Sequence, residues 1–310
     1  MISIVIPLYN KEGQIANTLQ SVFNQTFQDY EIVIVNDGST DNSVEIVKQI
    51  KDSRIRLIEQ SNQGVSMARN TGIRKANYDY IALLDADDEW KPTYLETQVD
   101  LINSFPECSV YACGYEFKQG NTIKPLILRK IPFEGEKGIL DNYFEVASHS
   151  HPPICSINIV VKKGAFLSIG GFPVGIKSGE DLLTWARLAV KYKIAYSIKN
   201  LAVFVKMLSE TGKSKPKERY SEKDEVLIGL FELYNSLFDN EVKHCFKKYI
   251  FRWYRIQCII LLEINKGGAC MKKSFEAIIK GANLIVFGSL IILGCLPWRL
   301  SMRILGRKIK

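Results

Sequence analysis

Three acidic side chains follow an apolar run in the segment Tyr80-Ile-Ala-Leu-Leu-Asp85-Ala-Asp87-Asp88. Apolar runs of this length are typical of strands buried on both faces of a parallel sheet. Open α/β sheets bind their ligands just beyond the carboxyl ends of such strands. Carboxylates crowded there repel one another, and Mg²⁺ or Mn²⁺ bridging to a substrate phosphate would compensate them. The alternative is an Asp-rich turn that caps the following helix, because Asp is a common N-cap residue.

Two further residues stand where a nucleotide could be held. Tyr9 follows the strand-like residues 2–7 and offers a flat face for a nucleobase, although it could equally be a core aromatic residue. Asp37 follows a second apolar run and precedes Gly38. A carboxylate there can accept a hydrogen bond from a pyrimidine N–H, and glycine allows close backbone approach. Asp-Gly is also a common turn sequence, which leaves a purely structural role open.

The elements that must position these residues alternate between strand and helix. Apolar runs predict strands at 2–7, 31–36, 54–58 and 80–84, and helical spacing predicts helices at 11–25, after 43 and at 64–75. This alternation predicts a parallel sheet with helices on both faces. Farther along, we expect strands at 108–117 and 154–161, a loop-rich excursion at 120–138, and helices at 164–169 and 180–191. Glu180 and Asp181 open the last helix, where acids also favour the helix dipole.

Several classes of protein are disfavoured by what the sequence lacks. The first turn, residues 7–13, has neither the G-x-G-x-x-G fingerprint nor a Walker lysine, so a nicotinamide dehydrogenase or a P-loop NTPase is not expected. The seven cysteines form no C-x-x-C pair, which argues for a reducing compartment and against a disulfide frame or a zinc ribbon. No secretory signal is visible, so we expect a cytoplasmic protein.

The joint occurrence of these features resembles the family-2 glycosyltransferases. The matching segments are Ile4-Val-Ile-Pro-Leu-Tyr-Asn-Lys-Glu12, Glu31-Ile-Val-Ile-Val-Asn-Asp-Gly-Ser-Thr-Asp-Asn42, Asn62-Gln-Gly-Val-Ser-Met-Ala-Arg-Asn-Thr-Gly72, Asp85-Ala-Asp-Asp88, and Gly170-Gly-Phe172 through Gly179-Glu-Asp-Leu-Leu-Thr-Trp185. The resemblance covers about residues 1–205 and implies a GT-A fold, a Rossmann-like nucleotide-binding domain with a mostly parallel sheet. It also implies an enzyme of bacterial polysaccharide or lipopolysaccharide biosynthesis that inverts the sugar carbon.

The same resemblance implies roles on the donor side of the site. Pro7, Tyr9 and Asp37 would hold the nucleobase of a nucleotide sugar, for which a UDP-sugar is the expected donor. Arg69 would contact the nucleotide, and Asp85 would reach the ribose or a metal-bound water.

On the metal and acceptor side, Asp87 would bind Mg²⁺ or Mn²⁺ directly and Asp181 would accept the proton of the acceptor hydroxyl. Glu180 would orient neighbouring groups or help to bind the acceptor. A metal ion neutralises the leaving nucleoside diphosphate, and a base is needed near the opposite face of the sugar. This arrangement suits a single displacement without a covalent intermediate.

One departure from the family pattern lies after the strand near Phe204. Many relatives have Arg or His before a Ser-rich flexible loop, whereas this chain has Lys206, Lys213 and Lys215. Which of these lysines meets the diphosphate stays open.

Two other functions are compatible with parts of the pattern. A sugar nucleotidyltransferase also has a nucleotide-binding α/β fold, but it should show a Gly-rich phosphate loop after the first strand. A non-catalytic module could bind a membrane or a nucleic acid through a basic tail. We favour the transferase and expect no nucleic-acid partner.

The basic charge of the chain is concentrated at its end. Residues 241–310 hold 14 Lys and Arg against three acidic residues, whereas residues 1–240 hold 27 against 30. We expect a GT-A domain at 1–208, a flexible loop at 209–220, and a basic, partly apolar helical extension at 221–310. Its helices are predicted at about 221–238, 241–264 and 270–296.

The end of this extension favours contact with a membrane. Residues 284–296 are almost wholly apolar, but a helix of that length spans only about 20 Å, short of the ~30 Å hydrocarbon core. We therefore expect a helix lying in the interface, with its cations near anionic headgroups at the cytoplasmic face. The acceptor would then be a saccharide or a lipid-linked saccharide. An ordinary helical subdomain, used for homodimerisation, is the alternative.

Overall fold

The computed structural model describes residues 1–206 and 223–306. The chain separates into two compact units. The first takes Met1–Gly175 and the residues from Glu180 to 206, and it is a mixed α/β unit. The second takes Ile176–Gly179 and the residues from 223 to 306, and it is helical. The predicted loop at 209–220 lies outside the described residues.

Within residues 1–206 and 223–306, the strands all belong to the first unit. They are β1 Ile2–Leu8, β2 Tyr30–Asp37, β3 Ile55–Gln60, β4 Tyr80–Leu83, β5 Glu89–Trp90, β6 Val110–Gln119, β7 Thr122–Pro125, β8 Lys137–Ile139, β9 Ile159–Lys162 and β10 Ile194–Val205.

The helices belong to both units. Those of the first unit are α1 Ile15–Phe23, α2 Ser43–Gln49, α3 Val65–Lys75, α4 Tyr94–Ser104, α5 Tyr143–His149, α6 Lys163–Ser168 and α7 Glu180–Lys191. Those of the second are α8 Glu225–Ser236, α9 Asn240–Glu263, α10 Gly267–Ile279, α11 Leu284–Cys295 and α12 Trp298–Ile304.

The central sheet has the strand order β3-β2-β1-β4-β9-β6-β10-β5 in the described part of the chain. Strands β1 to β4 are parallel, and β6 is parallel to β10. Strand β9 is antiparallel to both β4 and β6, so the six strands β1, β2, β3, β4, β6 and β10 run in one direction. Their carboxyl ends therefore share one edge of the sheet, where ligands bind in such folds.

Strand β1 determines how the site residues meet at that edge. It is buried on both faces and pairs with β2 through Pro7 and Val35 and with β4 through Val5 and Leu83. The turns that follow these three strands consequently lie side by side. Helix α3 covers one face at close range, since a Cβ on Gly72 would lie 2.3 Å from Val5 Cγ1.

Three of the sequence-based element boundaries were wrong. The predicted strand at 154–161 is only Ile159–Lys162, because the Asn158 side chain accepts from the Cys155 N–H and donates to two carbonyls, which makes a turn. The excursion at 120–138 contains β7 and part of β8, which pair with β6 and β10. The long helix predicted at 270–296 ends at Ile279 and restarts at Leu284, because Gly281 has a φ of +90° and Asn283 caps α11.

The helical unit is organised around an acidic cap. Asp224 Oδ1 accepts hydrogen bonds from the Leu227 N–H and from Trp253 Nε1, at 3.0 and 2.9 Å. Its Oδ2 pairs with Lys273 Nζ at 2.7 Å. One carboxylate therefore joins the start of α8 to α9 and α10. Among the described residues, no helix has both the length and the apolar character that crossing a bilayer requires.

Candidate functional site

Two interlocked turns, one after β1 and one after β2, lie where the sequence predicts that a nucleobase binds. Asn10 Oδ1 accepts from the Thr40 N–H at 2.8 Å, and the carboxylate of Glu12 accepts from the Asn42 N–H at 2.9 Å. These hydrogen bonds hold the turn that carries Tyr9. The Tyr9 side chain is 47% exposed, so it is not the core aromatic residue that the sequence also allowed, and its ring face is accessible to a base.

Asp37 is buried and already has three donors. Its Oδ1 accepts from Gln60 Nε2 at 2.7 Å and from the Gln63 N–H at 3.0 Å, and its Oδ2 accepts from the Gly64 N–H at 2.8 Å. The carboxylate thus ties the end of β2 to the loop that starts α3. Contact of Asp37 with a nucleobase stays a prediction, as it does for Pro7 at the end of β1.

Arg69 connects the two groups of carboxylates. Its side chain is 5% exposed, and its Nη2 lies 2.7 Å from Asp85 Oδ1 while its Nη1 lies 3.5 Å from Glu180 Oε1. The guanidinium also lies 5.1 Å from the ring centroid of Phe172. Burial disfavours the charge of Arg69, but Asp85 and Glu180 outweigh it, so the pKa of the guanidinium lies above its usual value. The residues expected on the donor side and on the acceptor side therefore share one buried cation.

Lys11 is a site residue that the sequence analysis did not identify. Its Nζ lies 2.5 Å from Asp87 Oδ2, and each of the two side chains is 30% exposed. A signal for it was present in the sequence, because a lysine two positions after Tyr9 lies in the turn after β1, beside the turn after β4. Lys11 and Arg69 therefore reduce the electrostatic repulsion among Asp85, Asp87 and Asp88 without a bound ligand.

Asp88 is buried and has a structural role in the site. It is 2% exposed, and its Oδ1 accepts from the Val205 N–H at 2.7 Å. Burial, then the charges of Asp85 and Asp87, raises the pKa of Asp88 well above its usual range. Asp88 ties the turn after β4 to the end of β10.

Glu180 and Asp181 form the first turn of α7, whose residues Leu183 and Trp185 are buried. Burial, then the charge of Asp181, raises the pKa of Glu180 to about 7. Burial also raises the pKa of Asp181, although Arg69 acts in the opposite direction. A carboxylate of raised pKa near the reacting atoms is suited to accept a proton.

A divalent metal ion fits this site only with the help of substrate oxygens. The described residues contain no group of three His, Cys, Asp or Glu placed to hold a metal. Asp85 and Asp87 each use one oxygen for an ion pair, to Arg69 and Lys11, and each has a second oxygen. Mg²⁺ is commonly held by one or two carboxylates together with substrate phosphates, so this donor set is chemically suitable.

The lysines near the end of β10 are only partly described. Lys206 Nζ lies 4.2 Å from the ring centroid of Phe117, a cation–π contact. Lys213 and Lys215 lie outside the described residues.

Sequence comparison relates the chain to one family. A model of glycosyl transferase family 2 matches residues 3–162, just over half of the chain. YibD of Escherichia coli K12, described as an uncharacterized glycosyltransferase, is 48% identical over 98 residues, which cover 31% of this chain and 28% of YibD. The chain spans less than a third of the length of the first curated relatives that it matches.

Solved structures relate the α/β architecture to the GT-A fold. Staphylococcus aureus TarS 1–349 in complex with UDP-GlcNAc has a TM-score of 0.68 at 17% identity, with 100% of this chain and 93% of that chain covered. The mannosyltransferase PcManGT of Pyrobaculum calidifontis, in complex with GDP-Man and Mn²⁺, has a TM-score of 0.60 at 17% identity, with 98% and 86% covered. The expected GT-A fold is confirmed.

Proposed function

This chain belongs to glycosyl transferase family 2, and from that membership we propose that it inverts the anomeric carbon of a sugar while moving it from a nucleotide sugar to an acceptor hydroxyl. The observation that carries the proposal is the position of Arg69 between Asp85 and Glu180. It brings the expected donor-side acid and the expected acceptor-side acids into one site. A single displacement needs both kinds of group around one sugar carbon.

On the donor side, Tyr9 would stack on the nucleobase and Pro7 and Asp37 would shape its pocket. We propose a UDP-sugar as the donor, which is supported by the presence of UDP-GlcNAc in the TarS complex. GDP-mannose in the mannosyltransferase complex makes a GDP-sugar the first alternative to test.

Asp87, with Asp85 beside it, would hold Mg²⁺ or Mn²⁺ against the diphosphate. When bound, the ion would neutralise charge on the departing nucleoside diphosphate. Lys11 already contacts Asp87 and would add a second positive charge near the same phosphates. Arg69 would hold Asp85 in place.

The proposed transfer is a single step. The acceptor hydroxyl oxygen forms a bond to the anomeric carbon, its proton passes to the carboxylate of Asp181, and the bond from that carbon to the diphosphate oxygen breaks. The electron pair leaves with the nucleoside diphosphate, so no covalent intermediate with the protein forms. Glu180 would orient the acceptor or keep Arg69 in place.

The acceptor we propose is a saccharide or a lipid-linked saccharide in bacterial polysaccharide biosynthesis. A lipid-linked acceptor would require the enzyme to work at a membrane, on its cytoplasmic face. The basic charge of residues 241–310 supports that location.

Calorimetric titration with UDP-, GDP-, dTDP- and CDP-sugars, with and without Mn²⁺, tests the donor assignment. We expect one nucleotide class to bind, and binding to weaken about tenfold or more in Asp87→Ala. Asp181→Asn should bind the donor within about twofold of the unchanged protein and lose transfer by a factor of about 10² to 10⁴, the usual contribution of a general base.

Asp100→Asn is the matched control, because Asp100 pairs with Lys137 on the surface and not with a site residue. It should leave both binding and transfer unchanged. Full transfer activity in Asp181→Asn would contradict the assignment of the base. Absence of binding by every nucleotide sugar, in folded protein, would contradict the proposed function.

A further inference from the structure

Helix α11 is apolar apart from Ser289 but is covered on one side only. It contains no charged residue. Phe287, Leu290 and Leu293 are buried inside the helical unit. On the other side Leu284 is 67% exposed and Ile285 is 83% exposed. A helix that is apolar all round is normally buried on all sides, so its exposed side calls for an apolar environment.

The exposed side continues around the turn that joins α10 to α11. Ile279 ends α10 and is 84% exposed. The turn is tight, because the Gly281 N–H donates to the Ile278 carbonyl and the Ala282 N–H donates to the Ala277 carbonyl. It therefore brings Ile279 close to the start of α11. We name Ile279, Leu284 and Ile285 the apolar tip.

Two lysines lie beside the apolar tip. Lys280 is exposed within the turn, and its Nζ lies 4.6 Å from the ring centroid of Phe231. Lys247 Nζ lies 3.1 Å from the position that a Cβ on Gly281 would occupy. The segment 277–306 contains Lys280, Arg299 and Arg303 and no acidic residue. An apolar surface bordered by cations is complementary to a bilayer that carries anionic headgroups.

We propose that the apolar tip inserts into the interfacial region of an anionic lipid bilayer, with Lys247 and Lys280 at the level of the headgroups. The inserted element is the turn between two helices, not a helix lying flat along its length, which is what the sequence alone suggested. Insertion of the tip does not depend on the proposed function. Only its use, to bring the site to a lipid-linked acceptor, rests on that function.

Flotation with vesicles tests the proposal. The unchanged protein should bind vesicles of equal parts phosphatidylglycerol and phosphatidylcholine, and binding should fall with added salt. The double variant Ile279→Gln/Ile285→Gln should lower the partition coefficient about tenfold or more. Lys280→Gln should lower it about fivefold, the equivalent of about 1 kcal/mol for one interfacial cation.

The matched control is Ile123→Gln/Ile127→Gln, which changes two isoleucines of the first unit that are 56% and 54% exposed. It should bind vesicles as the unchanged protein does. Both double variants alter exposed side chains, so each should fold. Circular dichroism checks that each is folded.

Three results would overturn the proposal: no binding to anionic vesicles, equal binding by the tip variant and the unchanged protein, or a dimer in light scattering that the tip variant dissociates. The last result would make a second copy of this chain the occupant. Nucleotide-sugar binding, measured without vesicles, should be the same in the tip variant and the unchanged protein. If the unchanged protein bound no nucleotide sugar, this would contradict the proposed function but not the insertion of the tip into lipid.

Discussion

Arg69 and Lys11 show how a cluster of acids is made compatible with a folded chain. Each cation lies within 2.7 Å of a carboxylate oxygen that a substrate or metal would otherwise have to compensate. An unpaired charge buried at this depth would destabilise the fold. Arg69 forms ion pairs with both Asp85 and Glu180, which compensate its charge. The pKa values of Glu180 and Asp181 are both raised, first by burial and further by neighbouring negative charges.

The Asp181→Asn substitution tests the coupling between these two acids. The charge of Asp181 contributes to the raised pKa of Glu180, so removing that charge should lower the pKa of Glu180 below about 7. A carbon-13 NMR titration of the glutamate carboxyl groups measures this shift. Asp100→Asn, which removes a surface charge away from the site, should leave the pKa of Glu180 unchanged. A pKa of Glu180 that stays the same or rises in Asp181→Asn would contradict the coupling.

At the scale of elements, the site depends on turns that hydrogen bonds hold in register. Helix α3 carries Arg69, and the next residue, Asn70, fixes the helix to the segment 171–172. The Asn70 side chain donates to the Phe172 carbonyl and accepts from the Phe172 N–H, both at 2.8 Å. Phe172 in turn packs on the guanidinium of Arg69. Asn70 therefore acts on the site through Phe172 and is a positioning residue.

Asn70→Ala should leave two buried backbone groups of Phe172 without partners. Each such group costs about 1–3 kcal/mol, so the free energy of unfolding should fall by about 2–6 kcal/mol. Urea unfolding measures this loss, and kcat should fall with it because Arg69 loses its support. Asn24→Ala is the control, since Asn24 accepts its side-chain hydrogen bond at the surface and should cost under about 0.5 kcal/mol. Equal losses in the two variants would show that the Asn70 contacts contribute nothing.

At the scale of the whole molecule, the two units differ in construction, and the charge differs along the chain. Residues 1–240 are slightly acidic and residues 241–310 strongly basic. The first unit is built on a sheet whose central strands are buried on both faces, and the second on helices joined at Asp224. The proposed nucleotide chemistry and the proposed lipid contact therefore lie in different parts of the chain.

Asp224→Ala should destabilise the helical unit without changing the nucleotide site. It removes the α8 cap, the hydrogen bond from Trp253 and a mostly buried ion pair with Lys273, and breaking such a pair costs about 3–5 kcal/mol. Helical circular dichroism should be lost at lower urea, while UDP affinity in native buffer should change less than about twofold. Asp239→Ala removes a cap alone, so it should cost only about 1 kcal/mol. Equal effects of the two substitutions would contradict this account of Asp224.

The sequence by itself determined the family, the parallel half of the sheet and the order of the motifs along it. The reason is that buried parallel strands and amphipathic helices leave local periodic patterns, and each motif residue lies next to a strand end. Only the tertiary structure decided which side chains meet. The pairing of Lys11 with Asp87, and of Arg69 with both Asp85 and Glu180, joins residues 16 to 111 positions apart. The division of the last apolar segment is marked locally by Gly281 and the Asn283 cap, but which residues of the apolar tip stay exposed depended on how α11 packs within the helical unit.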